Sequence, residues 1–362
     1  MEIPRVLWAF ALMPLLILPQ AGQTCTSFSL DDRDWHVFGK NYDWMVDDGL
    51  VIVNKRGVSK TAIKRNDLGQ PAGWVSKYGS VTFNQFGCEF PQGGMNEVGL
   101  VVETMALHGG KFPEPDSRPF LNRLQWRQYQ LDNFSSVEEV ITSDSQVRIA
   151  PANSRASFGS HFLVSDRKGD CAVIEFIDGK MVVYMEEAMP VKVLTNDTYV
   201  ESLRFWQNRS SPSDDPNHSL ARFVRVADMV SRYRPHPSKS IVDYAFDVLT
   251  IAEKDSRART QTMWSIVYDQ KNLRVYFRTA ANREIRTFSL AGFDFSCTTP
   301  VKVLDINGNQ GGEVTKHFSD YTLETNHSFI CNGFRKTPYF RNIPNSVLDE
   351  YSRYPEGTHC TH

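Results

Sequence analysis

CTSFSLDDRDWHVFGKNYDW, residues Cys25 to Trp44, is the stretch on which the reading of this chain turns. TSFSL and HVFGKNY alternate in the manner of strands, and the charged turn DDRD between them makes a hairpin signal. A cysteine opens the stretch directly behind a hydrophobic leader, and Asp43 lies near its end in the compact run FGKNYDW. Removal of the leader at Cys25 would leave one residue with both a thiol and a free α-amine. An α-amine titrates at about 7.7–8.0, so a useful fraction is unprotonated at neutral pH. Nucleophile and base would then share a residue. The same letters allow a plainer reading, with Cys25 as half of a disulfide and Asp43 as a turn residue.

The leader has the parts of a targeting signal. Arg5 supplies a short positive region, Val6 to Leu18 is uncharged and apolar, and Gly22 and Thr24 are the small residues that a cleavage site requires. Residues 1–24 are therefore predicted to be a signal peptide, with an uncleaved anchor as the competing reading. The mature chain, 25–362, is expected to be secreted or periplasmic, or lysosomal or extracellular in a eukaryote. No later apolar run is long enough to cross a bilayer. The 362 residues are 41% hydrophobic and 23% charged with a formal net charge of −2, and no basic block stands out, which argues against a nucleic-acid partner. None of the six cysteines (Cys25, Cys88, Cys171, Cys297, Cys331, Cys360) forms a C-x-x-C pair. No zinc site, other metal cluster, phosphate loop or cofactor site is indicated. Cys331 and Cys360, in a polar C-terminal region, are the best candidates for a bridge in an exported protein, although spacing alone does not fix the pairing.

Beyond the first hairpin, GLVIVNKR, SVTFNQFG and GLVVETMAL read as strands, with the turn PQGGMNEV holding Asn96. Arg118 to Asn133 shows helical spacing, and SSVEEVITSD reads as a second helix capped by Asn133 or Ser135. Residues 160–185 form a three-stranded meander, and KVLTND is another strand with Asn196 near its end. Arg204 to Ser219, broken by prolines, is predicted to be a surface loop facing substrate. LARFVRVADMVSRY and KSIVDYAFDVLTIAE form a helix pair, and TMWSIVYDQKNLRVYFRTA is a strong hairpin. After Ser296 the chain reads as irregular. The order of elements indicates α+β, sheets covered by helices.

CTSF, FGKNYDW, GGMNEVGL, NFSSVEEV, KVLTND and ARFVRV occur in the order seen in the choloylglycine hydrolase and penicillin V acylase family, which the chain resembles from about Cys25 to Ile285. The resemblance implies a four-layer αββα sandwich of two stacked antiparallel sheets, the N-terminal nucleophile hydrolase fold. That fold would form a single domain from residue 25, with an extension from about residue 297. It also implies hydrolysis of linear, non-peptide amides. Cys25 matches the nucleophile and, through its α-amine, the base; Asp43 matches the aspartate that holds that amine. Asn196 matches the oxyanion-hole asparagine, Asn96 the asparagine of the glycine turn near that hole, and Arg222 the arginine of the site. Bile-salt hydrolases carry arginine where this chain has Lys40. Lysine keeps the charge that lowers a thiol pKa but loses the planar fork.

The expected substrate is a small N-acyl amide with an aromatic or medium aliphatic acyl group. Trp35, Trp44, Trp74 and the 204–219 loop are the candidate acyl-pocket walls, and core packing is the alternative for the tryptophans. An acyltransferase of the same superfamily, or a binding module that kept the fold, are the competing functions, and a homo-oligomer is left open. N-x-S/T sequons at Asn133, Asn196, Asn208, Asn217 and Asn326 include the proposed oxyanion residue, which a glycan would block.

Overall fold

The computed structural model describes residues 24–33, 35–151, 159–208, 215–254, 258 and 260–361. The predicted leader, up to residue 23, lies outside them. The hairpin forms as read. Strands β1 (Thr26–Asp32) and β2 (Trp35–Trp44) pair antiparallel, with Ser27 opposite Lys40 and Phe28 opposite Gly39. The period of two sorts their side chains. Ser27 and Lys40 both reach Met105 on the facing sheet. Thr26 and Asn41 point the other way, to helices. Gly39 is required here because the Phe28 ring lies over it, and a Cβ at this position would stand 2.2 Å from Phe28 Cζ.

β1 and β2 lie inside a seven-stranded sheet whose order is Val193–Leu194, β1, β2, Gln261–Asp269, Arg274–Thr279, Arg286–Ser289 and Gly312–Glu313. The facing sheet has nine strands, with Lys180–Met185, Cys171–Ile177, Gly159–Ser165 and Val101–Leu107 on one side. Gly93–Asn96, Ser80–Asn84, Leu50–Asn54, Lys302–Asp305 and Ser319–Asp320 follow. Phe38, Val51, Phe83, Met105, Leu163 and Val173 belong to the buried cluster between the sheets.

The helices form the outer layers. Helix α1 (Arg123–Asn133) and α2 (Val137–Thr142) pack on the nine-stranded sheet. Helix α3 (Tyr199–Gln207) leads to α4 (Ser219–Arg232) and α5 (Ile241–Ala252), which cover β1 and β2 through Leu220, Phe223, Val226, Ala245 and Leu249. This is the four-layer αββα arrangement. No helix among the described residues is long and apolar enough to cross a membrane.

Several local readings are corrected. The first helix starts at Arg123 rather than Arg118, because Phe120–Asn122 pairs as a strand with Arg148–Ala150, and the Asn122 side chain caps the helix. Ser136, not Asn133 or Ser135, caps α2 in a capping box with Glu139. Arg204 to Gln207 is the last part of α3 rather than loop, and residues 209–214 of the predicted substrate loop lie outside the described residues. The tail beyond Ser296 is not irregular. Lys302–Asp305 extends the nine-stranded sheet, and α6 (Leu323–Lys336) and α7 (Asn345–Arg353) follow. The disulfide joins Cys297 to Cys360, not Cys331 to Cys360. The terminal strand His359–Cys360 pairs with Val58 and Ser59, and Gly57 abuts Cys297, which brings the two Cα atoms to 5.5 Å. Cys331 is a free thiol on α6 beside His327.

Candidate active site

Cys25 is fully buried where β1 begins. Leu194 pairs with Ser27, so the chain beyond that short strand brings Asn196 to Cys25. The Cys25 main-chain N–H donates to Asn196 Oδ1 at 3.0 Å. Arg222, on the buried face of α4, ties the cluster together. Its Nη1 donates to the Cys25 carbonyl (2.7 Å) and to Thr26 Oγ1 (2.6 Å), and its Nη2 donates to Asn196 Oδ1 (2.8 Å). Asn196 Nδ2 donates to Ala106 O at 3.0 Å, so the network fixes which end of the amide faces which partner. The Asn196 loop is braced from behind. His161 contacts Glu175 Oε1 (3.0 Å) and Thr195 O (2.8 Å), and Ser219 Oγ accepts from the Asn196 N–H (2.8 Å).

Asp43 lies on the helix-facing side of β2, 4.0 Å from Arg222 Nη1. Its Oδ1 accepts from Thr262 Oγ1 at 2.7 Å, whereas its Oδ2 is buried without a hydrogen-bond partner. Burial pushes this carboxyl up to about 6, against the opposing pull of Arg222 and the Thr262 hydrogen bond. Burial also raises the Cys25 thiol. The Lys40 ammonium is the main influence in the other direction, the Asp43 carboxylate adds to the rise, and a hydrogen bond from the Asp43 main chain and the Arg222 charge lower it. Arg222 itself is pulled down by burial and held up by Asp43 and Cys25.

Lys40 is buried on the inter-sheet face. Its Nζ donates to Thr104 O (2.5 Å) and contacts Met105 Sδ (3.1 Å), with Glu103 Oε2 at 3.7 Å. Burial raises the Glu103 carboxyl, opposed by Lys40 and by the hydrogen bond from Tyr268. The structure therefore brings Cys25, Asp43, Asn196, Arg222 and Lys40 together.

Asn96 is not among them. Its Nδ2 donates to Leu131 O (3.0 Å) and Phe134 O (2.8 Å), and its Oδ1 accepts from Val98 N (3.3 Å) and Leu100 N (2.9 Å). It fastens the glycine turn to the end of α1, satisfying carbonyls that a helix terminus leaves open. All its hydrogen-bonding capacity is spent there, so it offers nothing to an oxyanion. Of the three tryptophans, Trp74 donates to Asp132 (2.8 Å) in the outer core, and Trp35 donates to Asp269 (3.0 Å) at the far end of β2. Trp44, next to Asp43 in the chain, lines a cavity with Met45, Gln261, Met263, Lys336 and Pro338.

Thr262 and Lys254 complete the surroundings of Asp43 and Cys25. Lys254 N donates to Thr262 Oγ1 (3.0 Å), and Lys254 Nζ donates to Thr24 Oγ1 (2.8 Å) and Thr260 Oγ1 (2.9 Å). Neither residue carries a motif, and only the pairing of Thr262 with Asp43 across two distant strands identifies them. Among the described residues no group of His, Cys, Asp and Glu is arranged to hold a metal ion. The cluster has a buried thiol, an amide able to donate, an arginine clamp and a carboxylate with an open acceptor. That set suits nucleophilic attack on a carbonyl.

A family model described as linear amide C-N hydrolases, choloylglycine hydrolase family, matches residues 25–220. Penicillin V acylase from Pectobacterium atrosepticum is 26% identical, over 88% of this chain and 96% of its own. The structure of penicillin V acylase from Agrobacterium tumefaciens superposes with a TM-score of 0.69 at 26% identity, covering 82% of this chain and 98% of that one. A variant of conjugated bile acid hydrolase from Clostridium perfringens superposes with a TM-score of 0.63 at 17% identity, covering 79% and 98%, which is a likeness of fold.

Proposed function

The chain belongs to the choloylglycine hydrolase family of linear amide C–N hydrolases, and from that premise we propose that it is an exported cysteine amidohydrolase whose nucleophile is Cys25 after loss of residues 1–24. It is a hydrolase of carbon–nitrogen bonds in linear amides, and its substrate is a small molecule.

The finer reading is supported chiefly by one guanidinium, Arg222, which touches the Cys25 carbonyl and the Asn196 amide and stands 4.0 Å from Asp43. In the proposed reaction the Cys25 thiol gives its proton to its own α-amine, and Sγ attacks the substrate carbonyl carbon. The negative charge that develops on the carbonyl oxygen is stabilised by Asn196 Nδ2. The amine proton then passes to the leaving nitrogen as the C–N bond breaks, which leaves a thioester on Cys25. Water attacks the thioester, releases the carboxylic acid and restores the thiol. Asp43 Oδ2, buried and without a hydrogen bond although 4.0 Å from Arg222 Nη1, supplies the acceptor that would hold the α-amine. Lys40 replaces the arginine of bile-salt hydrolases, so the preferred substrate is an N-acyl amide with an aromatic or medium aliphatic acyl group rather than a bile conjugate. Burial of Asn196 leaves its sequon out of reach of a glycan. We place the mature enzyme outside the cytoplasm, in keeping with the leader.

Intact-mass analysis of purified active protein tests the reading. The mature chain is expected to begin at Cys25, and Cys25→Ala and Cys25→Ser should fold but lose nearly all amidase activity. Residues retained ahead of Cys25 in active enzyme, or full activity in Cys25→Ala, would overturn it.

A further inference from the structure

We infer that His161 is a positioning residue for the reaction: through the Thr195 carbonyl it sets where the Asn196 amide meets the oxyanion, without touching substrate itself. The inference rests on the proposed hydrolase reading. His161 lies on the strand Gly159–Ser165, opposite Met105 on Val101–Leu107. Met105 is the residue that Ser27 and Lys40 reach from the other sheet, so His161 shares its inward face. Glu175 stands beside it on the next strand, Cys171–Ile177, one step along from the Phe162–Ile174 pair. Leu163 and Val173, the neighbours of His161 and Glu175 on that face, belong to the apolar core.

A fully buried histidine and carboxylate on an apolar face are costly to desolvate. Replacing such a pair by apolar residues is often neutral or stabilising, so stability gives little reason for it here. Its contacts give another. Thr195 O can only accept a hydrogen bond, so ring Nε2 carries the proton that joins them at 2.8 Å. Nδ1 is held by Glu175 Oε1 at 3.0 Å, which locks the orientation of the ring. The same Oε1 accepts from the Tyr199 N–H at 2.9 Å, at the start of α3. The pair therefore grips the loop on both sides of Asn196, at Thr195 and at Tyr199.

The grip acts on the peptide next to Asn196. The Thr195 carbonyl and the Asn196 N–H belong to one planar unit. His161 holds its oxygen, and Ser219 Oγ, at the head of α4, accepts from its N–H at 2.8 Å. With both ends fixed the plane cannot turn, and the Asn196 side chain leaves it toward Cys25 N, Arg222 and Ala106 O. Ala106 pairs with Ser160, the residue before His161. The acceptor of the amide and the group that steadies its backbone are thus carried by the same two strands. A donor aimed at a developing charge works only when its position is set before the reaction, and a misplacement of about 1 Å can cost roughly 10²-fold.

Two substitutions separate this role from packing. Gln carries its amide nitrogen at the ε position, in place of Nε2, and Asn at the δ position, in place of Nδ1. His161→Gln can therefore keep the bond to Thr195 O while turning a carbonyl toward Glu175. His161→Asn can keep the bond to Glu175 and leaves Thr195 O unmet. Positioning predicts that activity and stability part company. His161→Asn should melt closer to wild type than His161→Gln, yet lose about 10–10²-fold in kcat with KM within about twofold, the mark of an interaction lost in the transition state. His161→Gln should keep kcat within about tenfold of wild type. Iodoacetamide alkylation of Cys25, which develops no oxyanion, should run at the wild-type rate in both. A kcat that follows the melting temperature, or His161→Asn within about twofold of wild type, would overturn the positioning role and leave the hydrolase reading standing. Failure of both variants to fold would mark the pair as structural and overturn the role as well. A wild-type enzyme with a reactive Cys25 but no activity on N-acyl amides would overturn the hydrolase reading, and the role with it.

Discussion

Replacing Asn196 separates the two tasks proposed for it, holding Cys25 and donating to the oxyanion. Asn196→Ala removes one oxyanion donor, which elsewhere costs about 10²–10³ in kcat, or ~2.7–4 kcal/mol of transition-state stabilisation. It also strips buried contacts that include those to Cys25 N, Arg222 Nη2 and Ala106 O. A neutral hydrogen bond is worth about 1 kcal/mol and one to a charged group about 1.5–3, so the stability loss is about 3–5 kcal/mol. That is large for a domain stable by about 5–15 kcal/mol, but the variant should still fold at 25 °C. Asn196→Asp keeps both acceptor contacts and gives Arg222 a full carboxylate partner, so it should lose less stability. It turns the donor into a second acceptor, facing Ala106 O and the developing oxyanion. Steady-state kinetics on an N-acyl amide, with thermal melts alongside, should show both variants at least 10²-fold down in kcat and only Ala markedly less stable. Activity of Asn196→Asp near wild type would show that the acceptor contacts, not the donor, are what matters. Asn196→Ala within tenfold of wild type would refute the oxyanion role.

The rate should also follow Asp43. Its carboxyl titrates at about 6, and the ionised form is the one that can hold the α-amine, so kcat/KM should rise between pH 5 and 7. Because this pKa is raised above the ordinary value, the stability that the bound proton contributes is present below about 4 and lost as pH rises through about 6. Asp43→Asn should therefore show a flatter melting-temperature profile across that window, and a rate profile level from pH 5 to 7 in the wild type would contradict the assignment. Lys40→Met removes the main charge that lowers the Cys25 thiol and leaves Glu103 without its cation at 3.7 Å. Iodoacetamide labelling of Cys25 at pH 7 should slow about tenfold, and labelling at the wild-type rate would reduce Lys40 to a packing residue. Lys40→Arg should recover only part of the loss, since Thr104 O and Met105 Sδ are placed around a single ammonium and a planar fork presents its donors differently.

What the sequence determined by itself is local or ordered along the chain. The alternation in Thr26–Trp44 and its charged turn produce the first hairpin, because a period of two with a turn between has one good folded solution. The apolar spacing of α4 and α5 likewise reports the face each helix buries. Cys25, Asp43, Asn196 and Arg222 were legible through the order of six short motifs. Asn96 shows where such reading fails. An asparagine in a glycine turn has the same local signature whether it donates to an oxyanion or fastens a helix end, and only its partners on α1 distinguish the two. The Cys297–Cys360 bridge, the Thr262 support for Asp43, and the tail's part in the cavity wall each join segments far apart in the chain. No local propensity encodes those contacts. They follow from strand register and sheet stacking, which are settled only when the whole core packs.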